Sequence, residues 1–338
     1  MSQRLIRIHP LGGIGNQTFQ LMFAEAIRLA LGDVAVTGHD LAEWNLRGDP
    51  ATRRRAVAIE CRAHAIPLTA IVDFMRAVPD VEVSIRSVAL RYAYYRGHRA
   101  HFSRLFRSRG EARPVGPGEL AINIRLGDIL VSKHSEYFPL PLVWYEQLVD
   151  KTGLSPVFIG QVGDDPYSTA LRRRFRGARF VEPTSPEVDF ATLRGARHVA
   201  ISISTFAWLA AWLSEAAETI HLPVAGLFHP GARPDIDLLP LGDDRYRFHQ
   251  SDLHHWKGTA AEIETLIAGD DRLLPASHAE LAMRFAPHIG TEGVGLADVP
   301  VSLGPGGLRA LPQTASPRLS RRVLATIRRR LASPPGAA

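Results

Sequence analysis

The chain has 338 residues, 46% hydrophobic and 22% charged. That is enough to bury the core of one large or two ordinary domains, and it excludes disordered, collagen-like and coiled-coil chains. No run reaches the ~18 uninterrupted apolar residues that a membrane span needs. Residues 1–11 carry Arg4, Arg7 and His9 where a signal peptide would be apolar. A lone cysteine, Cys61, leaves no internal disulfide and no cysteine-cluster metal site, so a cytoplasmic location is expected. The net charge of +6 at first suggests nucleic acid. Seven Arg and no acidic residue between Val299 and Ala338 account for it, which leaves 33 basic against 34 acidic side chains in residues 1–298. Only Lys133, Lys151 and Lys257 are lysines, so the Arg excess is a bias of the whole sequence, and nucleic acid is not an expected partner.

In chain order, Arg4 to His9 alternates like a strand and runs into Gly12-Gly13-Ile14-Gly15-Asn16-Gln17. Thr18 to Leu31 carries apolar residues at helical spacing and closes on Gly32, and Val34 to Thr37 reads as a second strand. Beyond residue 41 the pattern is less legible, with a helical stretch over 67–76 and a basic, aromatic stretch over 91–109. Pro and Gly crowd residues 113–118, which sets an expected boundary between an N-terminal domain of residues 1–115 and a second domain of 116–268. The second domain opens with the strand Leu120 to Ile124. Helices follow at 142–149, 167–175, 189–195 and 205–217, interleaved with strands at 156–159, 179–182 and 198–202, a spacing that predicts a parallel sheet covered on both faces. Residues 269–338 form a C-terminal extension with a loop over 290–314. Leu319, Val323, Ile327 and Leu331 then recur among arginines, a basic amphipathic helix that either lies on anionic lipid or packs against a partner.

Three edges carry candidate chemistry. The glycine turn would let a ligand approach the backbone, with unpaired helix N–H groups facing an anion. It is one glycine short of the dinucleotide fingerprint, with Asp40 in the place of a ribose-binding acid. Arg125-Leu126-Gly127-Asp128 stands at the carboxyl end of a strand, where Arg125 can clamp phosphate oxygens and Asp128 can orient it or take a proton. Ser202-Ile203-Ser204-Thr205-Phe206 passes from a buried strand to a buried helix, so Ser204 and Thr205 cap that helix and leave further N–H groups for a diphosphate. Trp208 and Trp212 read as core.

Gly12 to Gln20 resembles the Gly-Gly-Leu-Gly-Asn-Gln-Met-Phe-Gln opening of bacterial α-1,2-fucosyltransferases, glycosyltransferase family 11. Asn123 to Asp128 is similar to that family's His-x-Arg-Arg-Gly-Asp motif, and the stretch from Asp189 to Trp212 resembles its closing block. The resemblance covers residues 5 to 225. It implies an α/β fold of two Rossmann-like domains facing a cleft (GT-B-like) and metal-independent, inverting transfer of fucose from GDP-fucose to a glycan or polysaccharide precursor. By position, Arg125 would hold the β-phosphate, and Ser204, Thr205 and Phe206 the diphosphate end. Asp189 would read guanine, while Gly13, Gly15, Asn16 and Asn123 would line the donor site with Asn16 near the sugar. Asp128 or Glu136 would take the acceptor proton. No resident cofactor is implied beyond the donor, and the basic segment over 317–331 would touch the inner face of the membrane. Asn123 stands where the motif has His, Leu126 where it has a second Arg, and Ile203 where it has Asn. These departures keep open a non-catalytic relative that binds a nucleotide sugar or glycan. An NAD-dependent oxidoreductase would use the glycine turn and Asp40 but leaves Arg125 and Ser204 unexplained. Asp164 and Asp165 read as a helix start, His254 and His255 lack a third zinc ligand, and Cys61 has no nucleophile's setting.

Overall fold

A computed structural model describes residues 4–48, 57–78, 80–107, 110–131, 134–182, 184–269, 273–288 and 301–303. The chain divides into two compact units, residues 1–97 with 291–338, and residues 98–290. The division falls ahead of the Pro- and Gly-rich stretch at 113–118.

The first unit opens with β1 (Leu5–Ile8), α1 (Ile14–Leu31) and β2 (Ala35–Thr37), followed by a small hairpin of β3 (Asp40–Leu41) and β4 (Leu46–Arg47). Then come β5 (Val57–Cys61), α2 (Leu68–Ala77) and β6 (Val81–Ile85). Helix α1 starts four residues earlier than its apolar spacing predicts, at the glycine turn itself, with Gly13 as N-cap. The strands β5, β6, β1 and β2 pair in that order, all parallel. Both crossovers, through α1 and α2, run the same way along the sheet, so right-handed connections place both helices on one face, where they pack together. Cys61 is buried here, and burial, with the charge of Glu60, pushes its thiol up to about 12.

The second unit contains α3 (Arg99–Leu105), β7 (Glu119–Ile124), α4 (Leu142–Thr152), β8 (Ser155–Gly160), α5 (Pro166–Arg174), β9 (Arg179–Phe180) and α6 (Pro186–Gly195). It continues with β10 (His198–Ala200), α7 (Thr205–Leu213), β11 (Thr219–Val224), β12 (Tyr246–Gln250), α8 (Ala260–Ala268), β13 (Leu274–Ala276) and α9 (His278–Arg284). A last strand, β14 (Val301–Leu303), returns to the first unit and pairs antiparallel with β5, inside the stretch expected to be loop. The basic segment expected over 317–331 lies outside the described residues. Among those described, no helix is long and apolar enough to cross a membrane.

The second sheet runs β13-β12-β11-β10-β7-β8-β9, with only β13 antiparallel. Counted along the chain from β7, its parallel strands stand in the order 6-5-4-1-2-3, the doubly wound Rossmann arrangement. Successive crossovers run outward from β7 in one direction and from β10 in the other. Accordingly α4, α5 and α8 pack together, as do α3, α6 and α7. The core is the sheet's Leu120, Ile122, Val157, Ile159, Val199 and Ile220 against Trp144 on α4 and Trp208 and Trp212 on α7, all buried. The two α7 indoles stack with ring centroids 5.4 Å apart, and Trp208 Nε1 donates to Leu238 O at 2.7 Å.

Helix α7 ends at Leu213, short of the expected 217, because Ser214 turns the chain. Its Oγ accepts from Ala217 N at 2.9 Å and donates to Arg194 O. The last carbonyls are claimed by side chains. Arg99 Nε donates to Trp212 O at 2.7 Å, Ser103 Oγ to Leu213 O at 3.2 Å, and Arg245 Nη1 to Ser214 O at 2.9 Å. Two guanidiniums thus sit at the negative end of the helix dipole. Arg99 belongs to α3, which is why that helix folds with the second unit.

Between β11 and β12, His221 Nδ1 and His249 Nε2 lie 3.0 Å apart in the core. Burial holds the two imidazoles down at about 3 and about 4, from an ordinary 6.5, with their mutual repulsion adding to the effect on His221. Unfolded imidazoles protonate near 6.5 while the folded pair stays neutral. Protons therefore favour the unfolded state between those values, so stability is complete above about pH 6.5 and declines below it. At pH 5 the expected loss is on the order of 2 kcal/mol per imidazole. Thermal midpoints between pH 7 and pH 5 should show this fall, and the double variant His221→Leu, His249→Leu should flatten it.

Candidate active site

In the second unit, neighbouring crossovers diverge between β7 and β10, which opens a crevice outside the carboxyl ends of those strands. Arg125 leaves β7 there, and Ser202 to Thr205 leave β10 there. The two exits are tied directly, since Ser202 Oγ donates to Asn123 Oδ1 in a buried bond and Asn123 Nδ2 donates to Ile159 O at 3.4 Å. Asn123 is buried and joins three strand ends, so it shapes the crevice from beneath. On the other side Gly160 has φ +116, and a Cβ there would collide with Ile124 O. That glycine lets β8 close on β7 so that Gln161 Oε1 accepts from Leu126 N at 3.1 Å.

Arg125 engages Asp128 through Nη2 alone, at 2.6 and 2.7 Å from the two carboxylate oxygens. Its buried Nε has no hydrogen-bond partner among the described residues. A guanidinium N–H at a strand exit is thus left without an acceptor among the described residues. Asp128 has both oxygens on Arg125 and is 67% exposed, so it orients the guanidinium from the solvent side. Glu136 accepts from Ser135 Oγ at 3.0 Å through Oε1. Leu126, where a second cation would stand, is buried in the core.

Ser204 caps α7 by accepting from Ala207 N at 3.4 Å, and the first turn contains no acidic residue. Thr205 is buried beside it, and Phe206 meets Phe190 of α6 edge to face at 5.4 Å. One residue before Phe190, Asp189 lies in the first turn of α6, which begins at Pro186 behind the cap Ser185. Burial raises the Asp189 carboxyl from its ordinary value, and its buried Oδ1 has no hydrogen-bond partner among the described residues. Arg125, Asn123, Ser204, Thr205, Asp189 and Phe206 therefore gather around the exits of two adjacent strands and the helices that flank them.

In the first unit the glycine turn leaves the carboxyl end of β1, beside β6. Gly13 is extended, a Cβ on it would meet nothing within 4 Å, Gly15 is buried, and Asn16 lies in the first turn of α1. Gln20, fully buried, holds the turn. Its Oε1 accepts from Leu11 N at 3.0 Å while Nε2 donates to His9 O at 2.8 Å and Ser87 O at 3.0 Å. Beneath it a polar chain runs along the sheet to this edge. Arg7 Nε donates to the buried Glu82 at 2.8 Å, Ser84 Oγ lies 3.3 Å from Glu82 Oε1, and His9 Nε2 lies 3.2 Å from Ser84 Oγ. Asp40 is instead in the hairpin, exposed and 3.3 Å from Arg47 Nε.

Sequence reasoning missed His9 and Gln161, because their partners Ser84 and Leu126 N lie far along the chain with no motif spacing to mark them. No group of three His, Cys, Asp or Glu residues able to hold a metal ion occurs among the described residues. His254 instead meets Phe138 edge to face and faces Glu262 at 3.4 Å.

No protein-family model matches the chain, and no curated protein matches it. Among solved structures it is similar to E. coli heptosyltransferase WaaC with ADP, at 11% identity and a TM-score of 0.37, over 65% of this chain and 86% of that one.

Replacing Gln20 by Leu strands three buried or half-buried backbone groups at once. Each costs about 1–3 kcal/mol, so the variant should lose about 3 kcal/mol or more, read as a lower denaturant midpoint with an unchanged slope.

Proposed function

We propose that the chain is a glycosyltransferase that holds the diphosphate of a nucleotide-sugar donor at the β7–β10 crevice. One observation carries this reading. An arginine with an unmet buried N–H and the N-terminus of an apolar helix flank the reversal point of a doubly wound sheet, where such folds receive ligands. The two features match what a departing nucleoside diphosphate requires. The planar Arg125 fork would meet the growing phosphate charge, and the α7 N–H groups would meet it along the helix axis, without reorganisation during the reaction.

The donor in this reading is GDP-fucose. The support is the resemblance of the three motifs together with Asp189, whose buried Oδ1, without a hydrogen-bond partner among the described residues, suits a base carrying an N–H pair. Because fucose is transferred with inversion, an acceptor hydroxyl of a glycan or polysaccharide precursor attacks C1 on the face opposite the departing GDP and must lose its proton. We assign that step to Glu136, since Asp128 is committed to Arg125. Asn16 and the open surface at Gly13 would belong to the sugar and acceptor side. The basic segment at 317–331 would bring the enzyme to an anionic membrane carrying the precursor.

Thermal unfolding tests the donor. GDP should raise the midpoint and UDP should not, and a midpoint indifferent to every nucleoside diphosphate would refute the proposal. Arg125→Ala should abolish the GDP effect and reduce the slow hydrolysis of GDP-fucose at least tenfold. Glu136→Gln should leave the GDP-induced shift intact while lowering transfer by about 10²–10⁴-fold, the usual range for a lost general base. An equal loss of donor binding would place Glu136 in the donor site instead.

A further inference from the structure

Leu126 leaves the crevice with one arginine where the resemblance implies two, and a diphosphate carries more charge than one guanidinium offsets. The residue that answers this lies on another loop. After β11, the strand next to β10, the chain turns at His229, whose carbonyl accepts from Ala232 N at 2.9 Å and Arg233 N at 3.0 Å. His229 Nδ1 also accepts from Gly231 N at 3.0 Å, which fixes the turn. Burial, with Arg284 nearby, lowers the imidazole from its ordinary value, in keeping with that acceptor role. Arg233 issues from this turn, locked in a fork by Asp235 with Nε–Oδ1 at 2.9 Å and Nη2–Oδ2 at 2.8 Å. Its side chain is 26% exposed, so it is rigid yet reachable.

The loop that follows Arg125 crosses to this same place. Leu227 N, on the β11 exit, donates to Glu136 O at 2.9 Å, and Gly226 has φ +50 because a Cβ would collide with that carbonyl. Tyr137 is the next residue. Its phenol is within electrostatic reach of both guanidiniums, Arg233 acting on it more strongly than Arg125, although burial dominates and raises it overall. The neighbouring strands β7, β10 and β11 thus lead, along one edge of the sheet, to Arg125, the α7 N-terminus and the loop that carries Arg233.

We propose that Arg233 is the second cation of the diphosphate site, clamping the phosphate that Arg125 does not and supplying the charge that Leu126 cannot. The inference rests on the donor-binding reading above and adds a residue to it. Each arginine is held by its own acid, Asp128 or Asp235, so the pair is preorganised before any anion arrives.

Calorimetric titration of the full chain with inorganic pyrophosphate, GDP and GMP tests it. Arg233→Gln should weaken pyrophosphate and GDP by about 10–100-fold, the range for one charge-assisted hydrogen-bonded contact, and leave GMP within about twofold. Arg233→Lys, which keeps the charge without the fork, should fall between Gln and wild type, and it replaces the Gln variant if that one fails to fold. In the double variant with Arg125→Gln the losses should not add, because both residues grip one ligand. If Arg125→Gln loses pyrophosphate while both Arg233 variants bind it as wild type, or if GMP and GDP weaken equally, this inference alone is overturned. If the wild-type chain binds neither pyrophosphate nor GDP, the donor-binding reading falls with it.

Discussion

Strand polarity governs the second unit. Because β7 to β12 all run parallel, every carboxyl end lies on one edge, and along it the crossovers reverse direction. They reverse between β7 and β10, where the backbone presents Arg125 on one side and the start of α7 on the other. The buried Ser202–Asn123 bond holds this arrangement. It welds two strand exits whose side chains would otherwise be set only by loop conformation, and it explains why an amide stands at 123. A histidine there would have to find another way to bridge Ser202 and the Ile159 carbonyl.

Helix α7 couples the core to this edge. Its body is among the most apolar parts of the chain and is buried on all sides, which fixes its axis. Arg99, Ser103 and Arg245 satisfy its last carbonyls, so one pole of the helix is neutralised inside the protein. The other pole is capped by the Ser204 hydroxyl. Under the proposed function, that positive pole is the end that would meet the anion.

What the sequence discloses follows from how local each signal is. The strand-turn-helix at Leu5 to Leu31 is legible because glycines, alternation and helical spacing lie within thirty residues of one another, and the same holds for Arg125 and Ser204. Strands β5 and β6 were not legible, because their outer neighbours in the sheet come from residues 5–8 and from β14, far along the chain. Strand β11 carries Pro223, which argues against a strand until the neighbours on both sides are known. The role of Gln20 could be suspected from the motif but not explained, since Ser87 lies far along the chain. Arg233 had no signal at all. It sits in an ordinary loop beside Asp235, and only the hydrogen bond from Leu227 N to Glu136 O ties the β11 exit to the residues that follow Arg125.

The lone thiol of Cys61 has a practical consequence. It lies in the interior of the first unit, on a strand paired with both β6 and β14, and its high proton affinity keeps it unreactive while that sheet is closed. The chain therefore carries a single chemical clock for the breathing of one half. The rate at which an alkylating reagent reaches it reports the opening of that half alone, whatever happens to the tryptophans, four of which lie in the other half and would signal its unfolding by fluorescence.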